Sequence, residues 1–160
     1  MLDARFLDAL GEIRARLDAL ELNRAVTGSV GLSLQGLPVS PIDIDIQTDR
    51  AGAYAVERCL AAQSVRPVRF ATAELIRSHF GAFELHGIQV EIMGDLACRL
   101  PDGGWEAPLD LARHKHYVAA ADMRLPVLPL DHEYRTYLRR GKIEKAELIR
   151  TWLRSAANHE

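Results

Sequence analysis

Two aspartates separated by one residue are the part of this sequence best suited to chemistry. Asp43 and Asp45 stand in the segment 41–46, PIDIDI, where isoleucines fill the alternate positions. Successive side chains of a β-strand point to opposite faces, so the three isoleucines would enter a core and both carboxylates would share the other face. The aspartates would lie about 7 Å apart at roughly 3.3 Å per residue. Paired carboxylates of this kind are typical ligands of Mg²⁺, and through it of a polyphosphate.

Two further features could complete such a site. Gly28-Ser29 forms a turn shortly before the aspartates, and Glu91 stands on the polar side of an alternating strand that contains Val90. A two-metal site needs one more acid from a neighbouring element, so Glu91 is a candidate metal ligand or general base if the strands are neighbours. Taken singly, each feature is more typical of a solvated face or an ordinary turn. Their combination supports the hypothesis of a metal and polyphosphate site.

The elements that would position these residues alternate between helices and strands. The hydrophobic spacing and the turn residues predict helices over 2–20, 30–35, 51–63, 131–140 and 142–155, with Asp49 and Asp131 as N-caps. They predict strands over 25–27, 43–48, 68–70, 78–85, 88–93, 114–118 and 123–128, with a tight turn at 86–87 and a loop at Gly94-Asp95. In the last helix, apolar residues are expected to face inward: Ile143, Ala146, Ile149, Trp152 and Leu153. This order indicates an α/β (α+β) fold with a short mixed β-sheet, flanking helices and a C-terminal helical pair.

The length of 160 residues suits a single domain, with a catalytic core over 1–112 and with edge strands and the helical pair over 113–160. The net charge of −2 argues against a nucleic-acid binder, although residues 113–160 carry an excess of cations that could reach back over an anionic ligand. Cys59 and Cys98 match no metal-ligand spacing and are expected to be reduced thiols. The sequence has neither a signal-peptide pattern nor a membrane-spanning apolar run, so we expect a cytoplasmic protein.

The motif Gly28-Ser29 followed by Asp43-Ile44-Asp45 resembles the nucleotidyltransferase superfamily, which includes DNA polymerase β and the aminoglycoside, lincosamide and minimal nucleotidyltransferases. The likeness is greatest to the small bacterial branch, where the intervening residues resemble segment 32–36, LSLQG. The resemblance implies that Gly28 and Ser29 contact the triphosphate of an NTP. It implies that Asp43 and Asp45 bind Mg²⁺ and that Glu91 is the third acid. The expected reaction is transfer of a nucleoside monophosphate, most simply from ATP, to a hydroxyl of a small molecule or a protein.

The sequence departs from the branch just before the aspartates, where Val39 and Pro41 replace the usual basic residue. Arg69 and Lys142 are therefore candidates for binding the phosphates in its place, and Arg66 is a third. An alternative is a nucleotidyltransferase-like module that binds nucleotide or a partner without turnover. A phosphohydrolase that uses the same acids is a further reading, and a homodimer could help to build the acceptor pocket. The histidines at 114 and 116 share a strand face but have no other ligand type nearby.

Overall fold

The computed structural model describes residues 2–159 and contains one mixed sheet of seven strands. The helices are α1 Ala4–Leu17, α2 Gly28–Leu34, α3 Arg50–Cys59, α4 Leu111–His114, α5 Leu130–Arg139 and α6 Ile143–Ala157. The strands are β1 Arg24–Thr27, β2 Ile44–Thr48, β3 Ser64–Thr72, β4 Ile76–Leu85, β5 Ile88–Cys98, β6 His116–Ala120 and β7 Met123–Val127. Across residues 2–159, none of the helices has the length and apolar character needed to cross a membrane. The mixed sheet, its flanking helices and the C-terminal pair confirm the expected fold class.

The strand order is β3-β4-β5-β2-β1-β7-β6, which places β2 at the centre of the sheet. β2 runs antiparallel to β1 and parallel to β5, and β1 runs parallel to β7. The remaining neighbours are antiparallel. The parallel pairing brings β2 next to β5 although α3, β3 and β4 separate them in the chain. The neighbour relation between β2 and β5 is therefore a product of the tertiary structure.

One face of the sheet is covered by α1 and α3, which close the main core. The buried side of β2 contributes Ile44 and Ile46, both almost completely inaccessible to solvent, and these join the apolar faces of the two helices. Local sequence sets both helix starts. Asp3 accepts hydrogen bonds from the backbone N–H groups of Arg5 and Phe6, and Asp49 accepts one from Gly52. Each such N-cap stabilises its helix by about 1 kcal/mol.

The C-terminal helices pack on the opposite side of the molecule, against α2 and the loop that follows it. Their small core consists of Leu32 and Leu37 from that region together with Tyr137, Ala146 and Ile149 from α5 and α6. This packing holds the cationic end of α5 and the start of α6 beside the central strands. The helical pair is therefore anchored to the segment that carries Gly28 and Ser29.

Several predicted boundaries were wrong. Gly94 and Asp95 do not form a loop: β5 continues to Cys98, and Asp95 (φ 50°) and Leu96 form a bulge opposite Ser78. β3 begins before Pro67, which the sheet tolerates because β3 is an edge strand with irregular register. The N-cap position of α5 is occupied by Pro129, which makes no side-chain capping bond, and the predicted cap Asp131 lies in the first turn of the helix.

Other side-chain orientations also differ from the expected ones. Ile143 and Leu153, predicted to face inward, are 54% and 39% exposed because α6 buries a narrow stripe around Ala146 and Ile149. Ile42 is 88% exposed because β2 starts only at Ile44. The Gly28-Ser29 pair is not a separate turn but opens α2.

We expect Gly94→Ala to destabilise the fold by about 1–3 kcal/mol, the usual range for overpacking. A Cβ at this position would lie 2.8 Å from both Ala53 Cβ and the Asp49 carbonyl oxygen, where α3 crosses β5. Urea unfolding measures the change. Gly11→Ala is the matched control, because its Cβ would meet nothing closer than Met123 Sδ at 3.7 Å and alanine favours a helix. Equal stability of the Gly94→Ala variant and the wild type would contradict the proposed close packing.

Candidate functional site

The candidate site is built on one row of residues across the three central strands. In the sheet register, Thr27 of β1 is opposite Asp45 of β2, and Asp45 is opposite Glu91 of β5. Side chains that are paired across neighbouring strands point to the same face of a sheet. The isoleucines of β2 point to the main core, so this row faces the side occupied by the C-terminal helices. The register alone thus brings a hydroxyl and two carboxylates together.

Asp43 joins this row from the residue that precedes β2. One carboxylate oxygen from each of Asp43, Asp45 and Glu91 lies within 4.8 Å of the other two, and all three residues are partly buried. We call these residues the acidic triad. Gln89 donates a hydrogen bond of 2.8 Å to Glu91 and so restrains its carboxylate. The structure therefore brings together the three acids that the sequence singled out.

The environment of the triad disfavours three separate negative charges. Burial, the charge of Asp43 and the neighbouring Glu91 raise the pKa of Asp45 to about 8. Burial and the charge of Glu91 also raise the pKa of Asp43. In addition, Asp45 Oδ1 is buried and has no hydrogen-bond partner within residues 2–159. An unpartnered buried oxygen beside two further carboxylates is a fitting ligand set for a hard cation such as Mg²⁺.

Gly28 lies directly against the triad and has the conformation that only a small residue tolerates well. Its φ is +67°, in the left-handed region, and a Cβ there would collide with Asp45 Oδ2. This conformation turns the chain from β1 into α2 and places Ser29 at the cleft. The glycine therefore permits a close approach of backbone and carboxylate.

Glu133 of α5 is a buried acid next to the junction of β1 and α2, and the sequence analysis did not identify it. It is 3% exposed, accepts a hydrogen bond from the Thr27 hydroxyl and faces the backbone N–H of Gly28. Burial raises its pKa to about 7, although these two donors and the cations Arg140 and Lys145 oppose the increase. Glu133 therefore ties α5 to the junction of β1 and α2. The sequence offers no signal for this contact beyond an acid in a helix, because it joins distant segments.

Three cations from the C-terminal region form the opposite wall of the cleft: Arg140, Lys142 and Lys145. Of these three, the sequence analysis predicted only Lys142 as a candidate phosphate ligand, and the structure adds Arg140 and Lys145 to the same wall. Arg140 and Lys145 are close enough to lower the pKa of Asp45 and Asp43, respectively. The cleft is thus acidic on the sheet side and basic on the helix side.

The structure places Arg69 elsewhere. Arg69 is exposed on the edge strand β3, which is separated from β5 by β4, and it does not line the cleft. Arg66 lies on the same strand and stacks over Phe80, with its guanidinium 5.2 Å from the ring centroid. The cations that line the cleft therefore come from the helical pair, and neither Arg66 nor Arg69 of β3 is among them.

The buried Glu133 carboxyl predicts a pH-dependent difference in stability between wild type and Glu133→Gln. The folded-state pKa is raised from 4.5 to about 7, so the stabilising contribution of the protonated acid is complete below about pH 4.5 and is lost as the pH rises through 7. The variant should therefore gain about 3 kcal/mol relative to wild type between pH 4.5 and 8. Urea unfolding across this range measures the difference.

Glu144→Gln makes the same chemical change at an exposed position of α6 and serves as the control. Asp45 is present in both proteins and cancels from the comparison. A constant difference between Glu133→Gln and wild type would show that Glu133 ionises freely in the folded protein.

The comparisons with known proteins agree with this geometry. The model of the aminoglycoside-2''-adenylyltransferase family matches residues 9–149. The Thermotoga maritima protein TM1012, a proposed nucleotidyltransferase, is 47% identical, with a TM-score of 0.85 over 97% of this chain and 96% of that one. No curated protein matches this chain.

Two more distant structures share the fold. The lincosamide antibiotic adenylyltransferase LnuA, bound to lincomycin, has a TM-score of 0.59 at 13% identity, covering 89% of this chain and 95% of its own. ANT(2'')-Ia, in complex with adenylyl-2''-tobramycin, has a TM-score of 0.58 at 12% identity, covering 90% and 87%. The triad, the glycine at the start of α2 and the family match together lead to one assignment: this chain is a small nucleotidyltransferase that belongs to the aminoglycoside-2''-adenylyltransferase family.

Proposed function

We propose that this enzyme transfers a nucleoside monophosphate from ATP to a hydroxyl of a small molecule, with Mg²⁺ held by the acidic triad. The observation that carries the proposal is the polarity of the cleft. Asp45 Oδ1, buried and unpartnered, lies beside the carboxylates of Asp43 and Glu91, and three cations line the opposite wall. A metal–triphosphate complex matches both walls at once, because its metal needs oxygen ligands and its phosphates need cations.

Asp43, Asp45 and Glu91 are the residues that would hold the metal. Bound there, Mg²⁺ would neutralise charge on the phosphates and orient them for attack. A cation at the triad would also relieve the repulsion that raises the pKa of Asp45. The affinity for metal is expected to increase with pH, because the ligand carboxylates must lose their protons.

Binding of the triphosphate is assigned to two groups of residues. Gly28 lets the backbone approach Asp45, and Ser29 offers a hydroxyl and a backbone N–H at the cleft. Lys142 and Lys145, with Arg140, offer the positive charge that α5 and α6 bring over the sheet. Lysine and arginine are the usual partners of phosphate, and the planar guanidinium of arginine can donate two parallel hydrogen bonds to phosphate oxygens. Fixing the phosphates from two sides aligns the α-phosphorus with the incoming hydroxyl.

In the transfer step, the acceptor oxygen forms a bond to the α-phosphorus of ATP. The bond from that phosphorus to the bridging oxygen breaks, and pyrophosphate leaves with the bonding electron pair. The proton of the acceptor hydroxyl goes to the carboxylate of Glu91, which Gln89 orients through its hydrogen bond. The products are the adenylylated acceptor and pyrophosphate.

The acceptor is proposed to be a small molecule that carries a hydroxyl. Ile42, Met93 and Leu96 contribute apolar side chains to the lining of the cleft beside the acids. Ile42 is 88% exposed, which leaves an apolar side chain free to contact a bound compound. Two structures with the same fold hold lincomycin and adenylyl-2''-tobramycin, both small molecules. A net charge of −2 favours this class over a nucleic acid.

The metal assignment predicts that Mg²⁺ raises the melting temperature of the wild type and has no such effect on Asp45→Asn. The variant loses one charged ligand and the repulsion that a cation would relieve. Differential scanning fluorimetry over a range of Mg²⁺ concentrations measures this response. Asp8→Asn, at an exposed position of α1, is the control for the loss of one negative charge. An unchanged response in Asp45→Asn would place the metal elsewhere.

The reaction predicts release of pyrophosphate and formation of an adenylylated product from ATP, Mg²⁺ and a hydroxylated acceptor. We expect Asp45→Asn to reduce the rate at least about 100-fold, because charge stabilisation in the transition state is lost. Labelled ATP and a panel of aminoglycosides and lincosamides form the assay. Tight binding of ATP without pyrophosphate release would identify a binding module, and release of inorganic phosphate would identify a phosphohydrolase.

The phosphate assignment predicts that Lys145→Ala raises the KM for ATP about tenfold, the effect of losing roughly 1.4 kcal/mol of binding. Arg69→Ala should leave this KM unchanged, because Arg69 lies outside the cleft. Steady-state kinetics at saturating acceptor separates the two. A larger effect at Arg69 would mean that β3 approaches the nucleotide in the working enzyme.

A further inference from the structure

A second groove lies between the C-terminal end of α1 and the edge formed by β6 and β7. It has a volume of about 430 Å³. Six polar or aromatic residues line it: Arg14, Asp18, Arg24, Lys115, Tyr117 and Arg124. Leu22 and Pro126 add apolar surface. None of these residues lines the cleft that contains the acidic triad. We call this feature the basic groove.

The charges of the basic groove are unbalanced. Four of its lining residues are cations, and Asp18 is its single acid. Asp18 is already engaged on both oxygens, because Oδ1 pairs with Arg24 and Oδ2 lies 3.6 Å from Arg14 Nε. Two cations therefore remain for which the groove offers no carboxylate.

Lys115 and Arg124 are the cations without an acidic partner. Among residues 2–159, neither forms an ion pair within 4.0 Å. Both instead approach the ring of Tyr117, with Lys115 Nζ at 6.0 Å and Arg124 Cζ at 5.5 Å from its centroid. A cation–π contact at an exposed site contributes only about 0.5–1 kcal/mol, so it leaves both charges available to an anion.

Two cations of the basic groove are held in place by contacts within the protein. The Arg24 side chain is 12% exposed and is held by Asp18, and Lys115 Nζ lies 3.5 Å from the Arg24 carbonyl oxygen. Cations that are fixed near one another repel, and a bound anion relieves that repulsion. The ammonium of lysine and the forked guanidinium of arginine are both suited to phosphate oxygens.

We propose that the basic groove binds a small anion that carries two or more negative charges on phosphate groups. A groove of about 430 Å³ with two cations free of acidic partners suits an ion of the size and charge of pyrophosphate. The site is separate from the nucleotide cleft, so it does not depend on the proposed transferase activity.

The test uses inorganic pyrophosphate as the probe, with the whole chain, in EDTA and about 0.1 M KCl, where screening is moderate. Amide chemical shifts in an NMR titration should change saturably at Tyr117 and the neighbouring residues of β6 and β7. The double variant Lys115→Ala/Arg124→Ala should weaken this binding at least about tenfold, which corresponds to roughly 1.4 kcal/mol. Orthophosphate and ATP, titrated separately, show whether a single phosphate or a nucleotide is preferred.

Arg5→Ala/Arg58→Ala is the matched control, because it removes two exposed cations outside the groove and should leave the affinity within about twofold. Shifts that do not saturate, or that occur only around the acidic triad, would overturn the proposal. Equal weakening of pyrophosphate binding in both double variants would contradict a specific site and would show a general effect of net charge. Tighter binding of a single-stranded oligonucleotide at the same residues would replace the small anion by a nucleic acid.

Discussion

The register of the central strand β2 is the constraint on which the rest of the site depends. Its pairing with β1 and β5 puts Thr27, Asp45 and Glu91 in one row, while its isoleucines close the core behind them. A shift by one residue would exchange the two faces and bury the aspartates among apolar side chains. The same hydrophobic burial that stabilises the fold therefore also fixes the position of the acids. The alternation of isoleucine and aspartate in β2 therefore determines both the burial of the core and the position of the acids.

This arrangement concentrates acids in a poorly solvated place. The pKa values of Asp45 and Glu133 are both raised, mainly by burial, and Asp45 Oδ1 has no hydrogen-bond partner in the described chain. Such groups oppose folding in the absence of a ligand, because buried charge and unmet hydrogen bonds are costly. The surrounding core must offset this cost. Functional sites commonly hold strongly shifted carboxyl groups of this kind.

The C-terminal helical pair connects the two walls of the cleft. Its apolar residues pack on α2, its acid Glu133 holds the junction of β1 and α2, and its cations face the triad. Packing, hydrogen bonding and charge from the same two helices therefore act on the segment around Ser29. The two helices thus form the second side of the cleft within the same chain. No basic residue stands just before Asp43, and the cations that line the cleft come from a distant part of the sequence.

The sequence by itself determined the features that depend on near neighbours. Apolar spacing located α1, and the alternation around Asp45 and Glu91 identified which faces of β2 and β5 carry acids. The turn at His86-Gly87, where both residues have positive φ, joined β4 to β5 as expected. The family resemblance, carried by Gly28-Ser29 and the aspartates, also came from short segments.

Only the tertiary structure decided which distant residues meet. Alternation shows the face of a strand but not its neighbour, so the parallel pairing of β2 with β5 had to be observed. For the same reason the sequence pointed to Arg69, which lies on an edge strand, and missed Arg140 and Glu133, which reach the cleft from a helix. Contacts between segments far apart in the chain depend on the packing of the whole molecule. A short sequence pattern therefore does not predict which distant residues come into contact.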